Sequence, residues 1–198
     1  MNWLAHLHLS EPDPASRIGN LLPDILSFPE VRSVSEIFQR GISHHRAIDA
    51  FTDRHPVFRQ SKRRIDGVLG RYGAILVDVF YDHFLARAWD DYSLVGLEAF
   101  VADFHSSIDH FRDQLPERAY VRLCHIRDEG RLLSYREIDG VAAALEVISG
   151  RLRRPVELGA GVAFLRDHYD LFADDFRRFY PQLSAQVPYP DQTLTSDD

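Results

Sequence analysis

Cysteine is almost absent: Cys124 is the single one in 198 residues. No disulfide framework can form within the chain, and such usage fits a reducing cytoplasm, where Cys124 reads as a small core residue. Long hydrophobic runs are missing too. None approaches the roughly 18 to 20 residues that span a bilayer. The opening MNWLAHLHLSEPD has neither the basic start nor the long apolar core of an export signal. Both absences predict a cytoplasmic protein that does not enter a membrane. Positive charge is in deficit, with 23 Lys and Arg against 30 Asp and Glu for a net −7. That balance argues against nonspecific nucleic-acid binding as the main task, while leaving room for a local basic patch. Internal repeats, low-complexity segments and strand-like alternation are lacking as well.

What is present is an ordinary globular composition, 45% hydrophobic and 27% charged. The length suits one domain with a sizeable core. We expect an all-α, single-domain multi-helix bundle over residues 1–186, followed by a loose tail, VPYPDQTLTSDD, over 187–198. Asn2 can cap a short first helix and Asn20 can cap LLPDIL, where Pro23 falls in a first turn that needs no donors. A longer helix runs from the mid-30s to His55, and Pro56 starts the next, PVFRQSKRRIDGVLGRYG. Further helices are expected over 74–89 and 93–115, from near Pro116, over 134–149 and over 160–179.

Two of these helices carry groups that sit poorly in an apolar setting. In GISHHRAIDAFTDRHP (41–56), His45 and Asp49 lie one turn apart on a face shared with Ile42, Ile48 and Thr52. Asp53 follows near that face, whereas His44 points elsewhere. In AILVDVFYDHFLARAW (74–89), apolar nearly all round, Asp78 and Asp82 share a face one turn apart. A buried, unpartnered carboxylate costs several kcal/mol or takes up a proton, so a shared cation is the simplest remedy for such a pair. Imidazole nitrogen with several carboxylate oxygens suits manganese, iron or magnesium, whereas structural zinc sites favour thiolates that this chain lacks. Asp24 and His6 are further candidate ligands. Each group also has a plainer reading: arginines from another helix could neutralise Asp78 and Asp82. His6, His8 and His83 could be hydrogen-bonded core residues, and Asp53 could pair with Arg54.

Four ordered blocks, NWLAHLHL (2–9), GNLLPD (19–24), GISHHRAIDAFTDRHP (41–56) and DVFYDHFLARAW (78–89), closely resemble the acyl carrier protein phosphodiesterase family. That family is a distant relative of the all-helical, divalent-metal HD phosphohydrolases, with manganese the usual activator. The resemblance implies an HD-phosphohydrolase-like fold and hydrolysis of the phosphodiester that joins 4'-phosphopantetheine to a serine of holo-acyl carrier protein. One departure is that no His-Asp dipeptide occurs in the chain, so the namesake ligand pair does not carry over. Asp24, His45, Asp49, Asp78 and Asp82 are the expected metal shell, Asp82 and His83 the expected catalytic pair, with His83 or His44 protonating the departing serine oxygen.

The carrier protein is strongly acidic, so its docking calls for basic residues. Arg46, Arg59, Lys62, Arg63 and Arg64 are the expected contacts; without the resemblance the same stretch would read as a solvated basic helix face. Two rivals stay open. One is a metal phosphohydrolase acting on a small nucleotide. The other is a non-catalytic metal-binding bundle, although neither the 41–56 nor the 74–89 helix carries the Glu-x-x-His of di-iron carboxylate bundles.

Overall fold

Short polar signals set where the first helices begin. Asp13 accepts a hydrogen bond from the Ser16 amide at 2.7 Å and Pro14 takes the first helical position, the arrangement favoured at a helix N-terminus. Ser27 and Glu30 form a reciprocal capping box. His55 ends one helix and caps the next, its ring accepting from the Val57 amide at 3.3 Å while Pro56 opens the new helix.

The computed structural model describes residues 1–187 apart from 66, 153 and 155. Its helices are α1 Trp3–Leu9, α2 Pro14–Ile25, α3 Phe28–Ser33, α4 Gln39–Arg54, α5 Pro56–Arg64, α6 Gly73–Arg87, α7 Leu97–His110, α8 Glu117–Asp128, α9 Arg131–Ser134, α10 Ile138–Ser149, α11 Val162–Asp167 and α12 Tyr169–Gln186. Short 3-10 turns join several of them, and no strand occurs among the described residues. The all-α expectation therefore holds. No helix among the described residues is long and apolar enough to cross a membrane.

The core forms around α6, whose Val77, Val79, Phe80, Tyr81, Phe84 and Leu85 are all buried. Helices α1, α5, α10 and α12 pack against it. Rings fill the α6–α12 seam: Phe80 meets Phe172 at 5.3 Å, and Tyr81 meets Phe176 at 5.5 Å and Phe179 at 5.4 Å. Under this seam Asp175, fully buried, accepts from Ser61 at 2.7 Å and pairs with Arg64 at 3.0 Å and with Arg178. Burial alone would raise its carboxyl, but the hydrogen bonds from Arg64 and Ser61 outweigh that and hold it below the ordinary carboxylate value.

Helices α2 and α4 approach each other backbone to backbone. A Cβ on Gly41 would lie 2.1 Å from the Ser16 carbonyl oxygen and 2.6 Å from the Asn20 amide nitrogen. One on Gly19 would lie 2.3 Å from the Phe38 carbonyl oxygen. Only hydrogen fits at these points, so the two helices meet main chain to main chain.

Several expected boundaries shift. Asn20 does not cap a helix: α2 begins earlier, at Pro14, and carries Asn20 and Pro23 inside it. The 93–115 helix is α7 followed by a 3-10 turn over Arg112–Gln114. The 160–179 helix is broken at His168 into α11 and α12. Of the expected tail, all but Val187 lies outside the described residues.

Candidate metal centre

Three helices bring imidazole and carboxylate groups to one point. His6 comes from α1, and His45 and Asp49 from α4; one ligand atom from each lies within 4.8 Å of the others. His6 Nε2 is 3.2 Å from Asp49 Oδ1, and His45 Nε2 is 3.1 Å from Asp49 Oδ2. The two rings stack at 4.2 Å with 16° between their planes. Asp24, near the end of α2, places Oδ1 3.8 Å from His45 Nε2.

One residue aims both rings. The Asn20 carbonyl lies 2.8 Å from His45 Nδ1. A carbonyl can only accept, so Nδ1 carries the proton and donates, and Nε2 of the neutral ring faces the cluster with a lone pair. The Asn20 side chain does the same for His6. Its amide nitrogen donates to the His6 carbonyl at 3.0 Å and to Ser10 Oγ at 2.8 Å, which turns Oδ1 toward His6 Nδ1 at 2.9 Å. His6 Nε2 faces Asp49 Oδ1 and the Met1 carbonyl oxygen, 3.1 Å away, so both nitrogens of the His6 ring meet acceptors and a neutral ring can donate on only one side. Acceptor faces acceptor at the centre of the cluster.

Protonation relieves this only in part. Burial holds His6 below the ordinary imidazole value, and the neighbouring His45 charge adds to that. Burial opposes the charge on His45 as well, but its hydrogen bond to Asp49 and the charge of Asp24 raise it. Burial would raise Asp49, yet its bonds to His45 and His6 hold it far below the carboxylate range. Two protonated rings in stacked contact would repel each other, whereas one divalent cation would satisfy both lone pairs and the carboxylate together. Two imidazole nitrogens with carboxylate oxygens are the donor set of such an ion. A metal therefore fits these residues.

Asp78 belongs to the edge of the same cluster. The buried Met1 ammonium lies 3.2 Å from both Asp49 Oδ1 and Asp78 Oδ1. Burial works against the ammonium's charge, but Asp78, Asp49 and Asp24 raise it to about 11. Asp78 Oδ1 has this close contact without hydrogen-bond geometry and no other partner among the described residues. Burial pushes the Asp78 carboxyl up to about 6 against the pull of the ammonium.

The remaining expected residues go elsewhere. Asp82 turns both oxygens to the start of α1, accepting from the Leu4 amide at 2.8 Å and the Ala5 amide at 3.0 Å. It is the working cap of α1, while Asn2 holds the cap position without a cap bond and donates instead to the Tyr135 hydroxyl at 2.7 Å. Burial pushes the Asp82 carboxyl up to about 7, opposed by those two amides. His83 has both ring nitrogens engaged, Nδ1 with the Tyr135 carbonyl at 2.8 Å and Nε2 with the Tyr169 hydroxyl at 2.9 Å. It opens on a separate cavity with Arg87 and Glu137. His44 faces away from the cluster, with Nε2 3.1 Å from the Val187 carbonyl. Among the expected docking residues Arg46, Arg59 and Arg63 are exposed, Lys62 lies over the Phe58 ring at 6.0 Å, and Arg64 is committed to Asp175. Asn20, which the sequence pattern marks only as a helix cap, contacts both rings of the candidate site.

The chain matches a family model described as acyl carrier protein phosphodiesterase over residues 1–183. Proteins named acyl carrier protein phosphodiesterase from Salmonella dublin and Salmonella agona are each 33% identical to it, across 94% of this chain and 97% of theirs. No solved structure matches.

Proposed function

The chain belongs to the acyl carrier protein phosphodiesterase family, and on that premise we propose that it is a manganese-dependent phosphodiesterase. Its reaction hydrolyses the serine-linked 4'-phosphopantetheine of holo-acyl carrier protein to give the apo-protein and free 4'-phosphopantetheine. The observation that carries the metal dependence is the convergence of His6 Nε2 and His45 Nε2 on Asp49, with Asn20 holding the other nitrogen of each ring.

His6, His45 and Asp49 would hold the ion, with Asp24 beside His45 and Asp78 beside Asp49 adding negative charge. When bound, a divalent ion neutralises phosphodiester oxygens and lets water ionise near neutral pH. The chain's own residues keep the donors in place. Asn20 fixes both rings, and the stacked arrangement denies them other rotamers. Asp82 ties the first turn of α1 to α6 and so positions His6; we read it, and His83 in its satisfied pocket, as supports of the site and not as reacting groups.

Docking of an acidic carrier protein draws on the exposed Arg46, Arg59 and Arg63, with Lys62 beside them. Arg46 follows His45 directly, so that surface adjoins the centre. A cytoplasmic location suits a carrier-protein substrate and the single cysteine.

The test is mass spectrometry of holo-acyl carrier protein incubated with the purified chain, with manganese and with chelator in excess. Loss of the 4'-phosphopantetheine mass only with manganese supports the proposal. Retention of that mass under both conditions, with hydrolysis of small nucleotides in the same buffer, would replace it with the nucleotide reading.

A further inference from the structure

A cavity of about 490 Å³ opens beside Asp24 and is lined by Ile25, Arg118, Val121, Arg122, His125 and Arg151. Arg118, Arg122 and His125 lie on one face of α8 at helical spacing, and Arg151 closes the wall from the end of α10. The concentration of cationic side chains is unusual for a chain with net charge −7. Asp24 is the one carboxylate in the lining among the described residues, and its 3.8 Å contact with His45 joins the cavity to the candidate metal centre.

Arg122 is the informative member. Its guanidinium carbon sits 4.9 Å from the centre of the Trp3 ring, and its Nε is buried without a hydrogen-bond partner among the described residues. A buried, charged donor left unpartnered costs more than a neutral one. Burial and the neighbouring Arg151 charge push the Arg122 guanidinium down to about 10, which leaves it charged at neutral pH. Among the described residues neither Arg122 nor Arg151 takes part in an ion pair. Glu129, whose charge reaches both, already pairs with Arg131 at 2.8 Å. Arg118 reaches Glu30 at 3.4 Å from an exposed position.

We infer that this cavity is the anion subsite of the enzyme and takes the phosphate group of the phosphodiester, with Arg122 and Arg151 gripping its oxygens and Arg118 and His125 at the rim. The inference rests on the reading that a phosphoester reacts at the adjacent metal centre. The planar guanidinium fork of Arg122, already fixed by its stacking on Trp3, matches phosphate oxygens without further ordering of the side chain. Buried Ile25 supplies the apolar part of the lining, while Val121 is exposed. Specificity for a phosphoester would then arise on α8, away from the basic α5 surface that meets the carrier protein.

The experiment titrates inorganic phosphate into the full chain by calorimetry with magnesium present, comparing the parent with Arg151→Gln, Arg122→Gln and, as an equal loss of charge elsewhere, Arg166→Gln. Arg151→Gln and Arg122→Gln are each expected to weaken phosphate binding about tenfold or more, as for loss of a charge-assisted hydrogen bond, while Arg166→Gln leaves it unchanged. Because Arg122 stacks on Trp3 its variant can lose structure, so the exposed Arg151 is the second test, with circular dichroism confirming the fold of each. Phosphate affinity that is the same in Arg151→Gln as in the parent, or that falls equally in Arg166→Gln, overturns the subsite. If the parent binds phosphate through these arginines yet leaves holo-acyl carrier protein intact, the subsite stands and the carrier-protein reading fails. If it cleaves holo-acyl carrier protein with unchanged Michaelis constant in both variants, the reverse holds.

Discussion

Replacing Gly41 with alanine tests how the site is built. The added Cβ would lie 2.1 Å from the Ser16 carbonyl oxygen, and ordinary contact begins at 3.4 Å, a shortfall of 3.4 − 2.1 = 1.3 Å. The clashing atoms belong to the α2 backbone, so no side chain can swing aside and α2 must retreat from α4. Alanine gains up to about 1 kcal/mol of helix propensity over glycine. Against that, over-packing costs about 1–3 kcal/mol or more. The His45 Nδ1 bond to the Asn20 carbonyl, 2.8 Å long, would be stretched past hydrogen-bond range, a further loss of about 1 kcal/mol. The sum is a net destabilisation of about 1–3 kcal/mol, or a fall in Tm of about 2–12 °C for a chain of this size. Because the freed His45 ring no longer presents Nε2 to Asp49, manganese affinity should fall about tenfold or more as well. Thermal unfolding by circular dichroism and manganese titration by electron paramagnetic resonance measure the two effects. An alanine variant with the parent's Tm and the parent's manganese affinity would refute the close α2–α4 contact on which the site depends.

Other outcomes follow from the same contacts. Asn20→Ala should lower manganese affinity about 10–100-fold while leaving helix content intact; unchanged affinity in a metal titration would show that Asn20 does not orient the rings. Asp82→Ala strands the Leu4 and Ala5 amides in a buried setting and should cost about 2–4 kcal/mol, read as a lower urea midpoint, and a midpoint equal to the parent's would remove the capping role. Asp175→Asn breaks a buried pair with Arg64 and should cost about 3 kcal/mol at neutral pH. Since the Asp175 carboxyl lies below its ordinary value of 3.8 in the folded chain, its stabilisation is present above that pH and lost as pH falls further. The gap between parent and Asp175→Asn should therefore be full at pH 7 and shrink in strong acid, and a gap that widens on acidification would contradict the pairing.

Much of the fold was legible because its signals are local. Pro56 marks the α4–α5 junction in both sequence and structure, and the apolar surround of residues 74–89 announced a buried central helix. The early start of α2 was signalled by Asp13 followed by Pro14, a cap and a first-position proline, but LLPDIL drew the boundary to Asn20. That misplacement hid the site's organiser. An asparagine inside a helix has to find partners outside it, and which partners these are depends on the Gly19 and Gly41 contact, a tertiary fact with no local pattern. The His45 and Asp49 spacing, by contrast, follows from helix geometry alone. Asp78 and Asp82 share a face by the same geometry, yet the chain's first residues separate them: the Met1 ammonium sits against Asp78 and the α1 amides against Asp82. Helical spacing reports direction and is silent on what another segment brings to meet it. The basic α5 stretch drew notice by density, whereas the α8 and Arg151 cluster is spread over two helical turns and a distant loop.

The most direct test of the central claim is turnover of holo-acyl carrier protein by the parent and by Asp49→Asn, followed by mass spectrometry in manganese buffer. The account predicts conversion to the apo-protein by the parent, and at least about a hundredfold slower conversion by a folded Asp49→Asn chain. Equal rates from the two proteins would contradict it, because the reaction would then not pass through the His6, His45 and Asp49 centre.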